Sequence, residues 1–112
     1  MRFQDKLVGD VLVLRPMSSF IDASVSISFK GQIIDWIQQG HHRIVLDFSK
    51  VKSMDSSGLG AVVSLMKTVE SDGVIVLCNL HPAVRNPFRI TRFDRVISIH
   101  DSLDDACRSL SH

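Results

Sequence analysis

The order of apolar and polar stretches predicts a chain that begins with two strands. Arg2–Val8 and Val11–Arg15 flank the turn signal Gly9-Asp10, which predicts a β-hairpin. The Pro- and Ser-containing stretch that follows, Arg15–Ser24, is typical of a loop.

Two longer segments carry apolar residues at helical spacing. The first helix is predicted over Ser24–Gln39, with Asp22 or Ser24 as its N-cap and Gly40 at its end. The second is predicted over Ser57–Ser71. Its expected buried stripe is Leu59, Val62, Val63, Met66 and Val69.

Three apolar runs, His42–Ser49, Gly73–Leu80 and Arg95–His100, predict further strands. A short helix should begin near Pro82, and Pro87 should kink or end it. A last helix is predicted over Asp101–Leu110, capped by Asp101 and buried through Leu103, Ala106, Cys107 and Leu110. The order ββαβαβαβα is that of an α/β fold with right-handed crossovers.

Composition narrows the class of protein. The 112 residues suit one compact domain spanning residues 1–112, and a net charge of +1 with scattered Lys and Arg argues against nucleic-acid binding. No apolar run reaches the length of a membrane span, and the charged N-terminus is unlike a signal peptide, so we expect a cytoplasmic protein without membrane insertion. Cys78 and Cys107 are expected to be reduced core thiols, and the five histidines lack metal-ligand spacing.

The stretch MDSSGLG, residues 54–60, is the candidate site, and its residues alone leave several alternatives open. A serine before an apolar helix is commonly an N-cap. A serine hydrolase would need G-x-S-x-G, whereas here the glycines follow the serines. A dinucleotide site would need a third glycine where Val63 stands. A hydroxyl at a helix N-terminus is also a place where an added phosphate is tolerated.

The stretch VLDFSKVKSMDSSGLGAVVSLMKTVES, residues 45–71, resembles the signature of the STAS domain family, in particular the bacterial anti-sigma factor antagonists. The similarity continues through the second half of the chain, at Leu80, Pro82 to Val84, Thr91, Asp94, Ile99, Ser102 and Ala106. It implies a small mixed β-sheet with about four helices packed mainly on one face.

The resemblance also implies a function. Ser56 would be the phosphorylated hydroxyl, Ser57 would cap or support the helix, Asp55 would orient the loop, and Asp22 would lie near the phosphosite. Gly58 is the remaining residue that would support the phosphosite. The implied partners are a serine-kinase-type (GHKL) anti-sigma factor or related regulator and a PP2C-type phosphatase. The protein would then be a binding module and kinase substrate, not an enzyme, with no cofactor or metal, and a monomer when free.

The expected docking surface comprises Phe20, Leu59, Gly60, Ala61, Ser64 and Leu65, the last four of which are predicted to lie off the buried stripe. Phe20 could instead be a hydrophobic staple onto the first helix. Pro87 and Arg92 depart from the family pattern, Arg92 in the turn that usually reads T-G-L-D. The alternative function is a constitutive STAS subunit of an ABC lipid transporter, or another scaffold that needs no phosphorylation.

Overall fold

The structure is a computed structural model that describes residues 1–69 and 73–111. Its strands are β1 (Phe3–Val8), β2 (Val11–Pro16), β3 (Phe20–Ile21), β4 (Arg43–Asp47), β5 (Ser53–Met54), β6 (Val74–Cys78) and β7 (Ile99–His100). Its helices are α1 (Ala23–Gln38), α2 (Ser56–Thr68), α3 (Pro82–Ile90) and α4 (Leu103–Leu110), with a 3-10 turn at Phe93–Arg95. The predicted end of the second helix, Ser71, lies outside the described residues.

Five strands form a mixed sheet in the order β1-β2-β4-β6-β7. The β1–β2 pair is antiparallel, and the turn between them places Gly9 at φ 63°, a backbone conformation that favours glycine. The β2–β4, β4–β6 and β6–β7 pairs are all parallel. The predicted hairpin and α/β class are therefore confirmed.

The helices cover the two faces of this sheet unequally. On one face, buried side chains of α1, α2 and α3 pack against the sheet, among them Phe29, Leu65 and Phe88. On the other face, α4 covers the strands through Ala106, Cys107 and Leu110. Three helices on one face and one on the other agree with the expected fold.

The two cysteines pack in the smaller core under α4. Both are free thiols and buried, as expected. Burial, assisted by the nearby charge of Asp47, raises the pKa of Cys78 to about 12, and burial also raises the pKa of Cys107. Both are held as neutral thiols that act as small apolar side chains.

The helix over Pro82–Ile90 continues past Pro87, so this proline does not end it, which was one of the two outcomes predicted. Proline lacks the N–H that would bond one turn back. Val84 and Phe88, one turn apart, are nevertheless fully buried, and their packing holds the helix against the sheet.

Two further expectations for the C-terminal part were wrong. The predicted strand over Arg95–His100 is reduced to β7, because its first residue belongs to the 3-10 turn and Val96 is 69% exposed. The cap of α4 is Ser102, whose hydroxyl accepts the N–H of Asp105 at 3.1 Å, and not Asp101. Within residues 1–69 and 73–111, no helix is both long and apolar enough to cross a bilayer.

Candidate functional site

The segment before α1 and the segment before α2 are held together by a second, two-stranded sheet. In the predicted loop Arg15–Ser24, β3 pairs in parallel with β5. The Ser19 carbonyl accepts the N–H of Lys52 at 2.8 Å, and the Ile21 carbonyl accepts that of Asp55 at 3.2 Å. Two-residue strands leave no periodic signal, so the sequence analysis missed this pairing. It brings the starts of the two helices side by side.

Asp55 caps α2, and Ser56 is the first residue of the helix. The Asp55 carboxylate accepts the N–H groups of Ser57 at 2.9 Å and Gly58 at 3.1 Å. The expectation that Ser57 would cap the helix was therefore wrong, because the residue in extended conformation before the helix is the aspartate. Ser56 and Ser57 are both exposed at this helix start.

Gly58 is required by the close approach of β3 to the first turn of α2. A Cβ atom at this position would clash with the Ile21 carbonyl oxygen and lie 3.0 Å from the Ile21 Cγ2 atom and 3.2 Å from the Met54 Cγ atom. Since that carbonyl also accepts the Asp55 N–H, the glycine keeps β3 in place beside residues 54–57, which we call the serine loop.

Asp22 has the same role at the start of α1 that Asp55 has at the start of α2. Its carboxylate accepts the Ser24 N–H at 3.0 Å and the Ser24 hydroxyl at 2.6 Å. The Ser24 hydroxyl and backbone N–H hold the pKa of Asp22 below its ordinary value of 3.8, so it is ionised at neutral pH. Two capping carboxylates thus flank the site, one at each helix start.

The expected docking surface is only partly accessible. Phe20 is 58% exposed and Gly60 is exposed, while Ser64 is half-buried. The N′ position that a hydrophobic staple onto α1 would use belongs to Ile21, not Phe20.

Three residues expected on this surface are instead buried. Leu65 is fully buried, Ala61 is 8% exposed and Leu59 is 9% exposed. The buried face of α2 is rotated from the predicted stripe toward Ala61 and Leu65, because the helix packs against both the sheet and α1. Leu65 therefore offers no surface to a partner, and Ala61 and Leu59 offer very little.

Asp47, at the end of β4, anchors the chain that leads to the serine loop. Its side chain is charged and fully buried. It accepts hydrogen bonds from Arg15 Nε (3.0 Å), Asn79 Nδ2 (3.1 Å) and the Ser49 N–H (3.0 Å). Burial alone would raise its pKa, but the bonds from Asn79, Ser49 and Arg15 outweigh burial and lower the pKa of Asp47 below 3.8. Its role was not predicted from the sequence. The available signal was a lone aspartate ending a buried apolar strand.

No group of three or more His, Cys, Asp or Glu side chains in the described part of the chain could hold a metal ion. The carboxylates of Asp22 and Asp55 cap the two helices, so both accept hydrogen bonds from backbone N–H groups. The arrangement offers an exposed hydroxyl on a rigid helix start.

Comparison with known proteins identifies this arrangement. The STAS domain profile matches residues 2–106. The chain belongs to the STAS domain family. A curated relative, the "Putative anti-sigma factor antagonist TM1081 homolog" of Thermotoga neapolitana, is 30% identical over 105 residues, which cover 93% of each chain.

Solved structures of related proteins agree with this family assignment. The crystal structure of the Thermotoga maritima anti-sigma factor antagonist relative superposes with a TM-score of 0.87 at 29% identity, covering 96% of this chain and 93% of that one. The Bacillus cell fate determinant SpoIIAA, solved in its phosphorylated form, gives a TM-score of 0.73 at 25% identity and covers 98% of this chain and all of that one (100%). The chain is thus an anti-sigma factor antagonist-like STAS protein.

Proposed function

We propose that this chain is a phosphorylation-controlled binding module of a bacterial partner-switching pathway. It binds its partner when Ser56 is unmodified and releases it when Ser56 is phosphorylated. The observation that carries the proposal is the exposed Ser56 hydroxyl on the first residue of α2, next to a helix cap that Asp55 already supplies. The existence of SpoIIAA in a phosphorylated form supports it.

The cap geometry explains how a phosphate could act without refolding the protein. Asp55 already uses the N–H groups of Ser57 and Gly58, so a phosphate on Ser56 need not replace the cap. It would add about −1.5 to −2 charges at pH 7 to a surface that already carries Asp22 and Asp55. A partner face that fits the unmodified surface would then meet a concentrated negative charge.

The loss of binding free energy expected on phosphorylation is large enough for a switch. A loss of about 3 kcal/mol at such an interface weakens binding more than a hundredfold. The accessible docking residues are Phe20, Gly60 and Ser64, together with the serine loop itself. Gly60 has no atom within 4 Å of a would-be Cβ, so a partner can approach the backbone of α2 closely there.

The partner in this proposal is a serine-kinase-type (GHKL) anti-sigma factor or related regulator, and a PP2C-type phosphatase resets the switch. The chain itself acts as one STAS domain, a monomer when free, in the cytoplasm, and catalyses no reaction. The output is a sigma factor or a pathway that controls biofilm, exopolysaccharide or secretion.

Partner capture from native lysate tests the proposal. The baits are wild type, Ser56→Ala and Ser56→Asp, with Ser57→Asp as a control that places the same charge one residue along. We expect the wild-type and Ser56→Ala baits to capture a protein with a GHKL kinase domain, and the Ser56→Asp bait to lose it. Phosphorylation by the captured kinase with ATP should then map to Ser56 and be absent in Ser56→Ala.

The same experiment distinguishes the alternative function. If all baits capture the same transporter ATPase or scaffold in equal amounts, Ser56 is not a switch and the chain is a constitutive subunit. If Ser57→Asp releases the partner and Ser56→Asp does not, the modified position has been assigned to the wrong serine.

A further inference from the structure

Positive charge is concentrated in one short segment. Residues 85–95 contain four arginines, Arg85, Arg89, Arg92 and Arg95, and a single acid, Asp94. The whole chain has 13 Lys and Arg against 12 Asp and Glu, so acids outnumber bases in the remainder. The sequence analysis regarded the basic residues as scattered. In the structure this segment forms the later part of α3 and the 3-10 turn, and all four arginines are exposed. Arg85 and Arg89 line one pocket together with Asp94.

Most of these arginines have no carboxylate partner. Arg85 pairs with Asp101 at 3.0 Å, and Arg89 donates to the neutral side-chain amide of Asn86. Among the described residues, Arg89, Arg92 and Arg95 form no ion pair.

The same stretch of chain carries two large apolar side chains that are exposed. Ile90 is 78% exposed and Val96 is 69% exposed. We call Arg89, Ile90, Arg92, Arg95 and Val96 the arginine face. Arginine is enriched at protein interfaces, whereas lysine is depleted there.

The backbone at Arg92 is strained. Its φ of 65° and ψ of 15° lie in the left-handed region, directly after the Thr91 cap of α3. Glycine adopts this conformation readily, whereas a residue with a Cβ atom is disfavoured there. An arginine kept at a position suited to glycine suggests that its side chain has a use.

We propose that the arginine face is a second docking surface, which binds an acidic segment of a partner protein whose carboxylates flank an apolar side chain. The guanidinium groups would bind carboxylates in bidentate fashion, and Ile90 and Val96 would contact the apolar side chain. This surface shares no residue with the Ser56 site, so its binding does not depend on phosphorylation.

Charge favours a protein segment over a polyanion. The whole chain has a net charge of only +1, so it lacks the broad positive surface that extended DNA or an anionic membrane would bind. The arginine face also contains no aromatic side chain for stacking bases. A short acidic segment needs only the local positive charge.

Fluorescence anisotropy with a defined probe tests the proposal. The probe is a short fluorescein-labelled peptide that repeats Glu-Glu-Leu, and its control repeats Gln-Gln-Leu. We expect the acidic peptide to bind wild type at least fivefold more tightly than the neutral one. Arg92→Gly should weaken binding of the acidic peptide several-fold while leaving Tm unchanged or raised, since glycine relieves the strain. Arg108→Gln, which removes one positive charge from exposed α4, is the matched control and should bind as wild type.

The outcomes are distinct from those of the Ser56 switch. Ser56→Asp should bind the acidic peptide with wild-type affinity, whether or not that variant releases the kinase. Equal weakening by Arg92→Gly and Arg108→Gln would overturn the proposal, because the effect would be net charge alone. Absence of peptide binding, or tighter binding of duplex DNA or phosphatidylglycerol vesicles that Arg92→Gly abolishes, would also overturn it. A fall in Tm for Arg92→Gly would assign Arg92 a structural role instead.

Discussion

Replacing Gly58 with alanine should disrupt the support of the serine loop, although alanine is the better helix former. The added methyl group clashes with the Ile21 carbonyl, which is backbone and cannot rotate away. To make room, β3 must move, and the movement weakens the bond from the Asp55 N–H to that carbonyl. The matched control is Gly60→Ala, because Gly60 lies in the same helix with open space around its Cβ position.

The two variants should change stability in opposite directions. Overpacking at a tight site costs about 1–3 kcal/mol, and a gain in helix propensity of about 0.5–1 kcal/mol only partly offsets it. We therefore expect Gly58→Ala to lose roughly 1–2 kcal/mol and Gly60→Ala to gain about 0.5–1 kcal/mol. The free energies of unfolding of the two variants should therefore differ by about 1.5–3 kcal/mol.

Urea unfolding followed by tryptophan fluorescence measures this difference. Trp36, the one tryptophan of the chain, packs edge-on against Phe3 with ring centroids 5.4 Å apart, so its emission reports loss of the larger core. A midpoint for Gly58→Ala equal to or above wild type would refute the close approach of Ile21 to α2. Parallel shifts of the two variants would refute it as well.

The cap, the buried carboxylate and the core thiols give three more expectations. Asp55→Ala should lower stability by about 1 kcal/mol in thermal unfolding and Ser57→Ala by less than about half of that, since only Asp55 caps α2; equal losses would contradict this assignment. Folding lowers the pKa of Asp47. Its ionised carboxylate therefore contributes fully to stability above pH 3.8, and this stability is lost as the pH falls through the lower pKa of the folded state. Asp47→Asn should therefore lower the free energy of unfolding by about 2 kcal/mol at pH 7 and by less below pH 3.8. A loss of stability that does not change with pH would argue against an ionised Asp47 in this network. Cys78 and Cys107 should react with a thiol reagent only as fast as the protein unfolds, and rapid labelling of native protein would show that they are accessible.

The parts of the fold with strong local signals were predictable from sequence. The hairpin around Gly9, the helix from near Asp22 and the helix after the serine loop all have turn, cap or periodic apolar residues. The buried strands β4 and β6 were visible as apolar runs. In each case, local propensity and tertiary packing favour the same structure.

The parts that depend on tertiary contact were not predictable. The β3–β5 pair is too short to show a pattern, yet it positions the serine loop. The rotation of α2 that buries Leu65 depends on packing against α1 as well as the sheet, and a single helical stripe does not reveal it. The helix through Pro87 persists because Val84 and Phe88 bury on either side of it.

The central proposal is that a phosphate on Ser56 ends partner binding without unfolding the chain. The most direct test is the Kd of the captured partner for unmodified protein and for protein fully phosphorylated at Ser56, measured by titration calorimetry with the circular dichroism of both forms compared. We predict matching spectra and a Kd that rises more than a hundredfold on phosphorylation, equivalent to about 3 kcal/mol. Equal Kd values for the two forms would contradict the account.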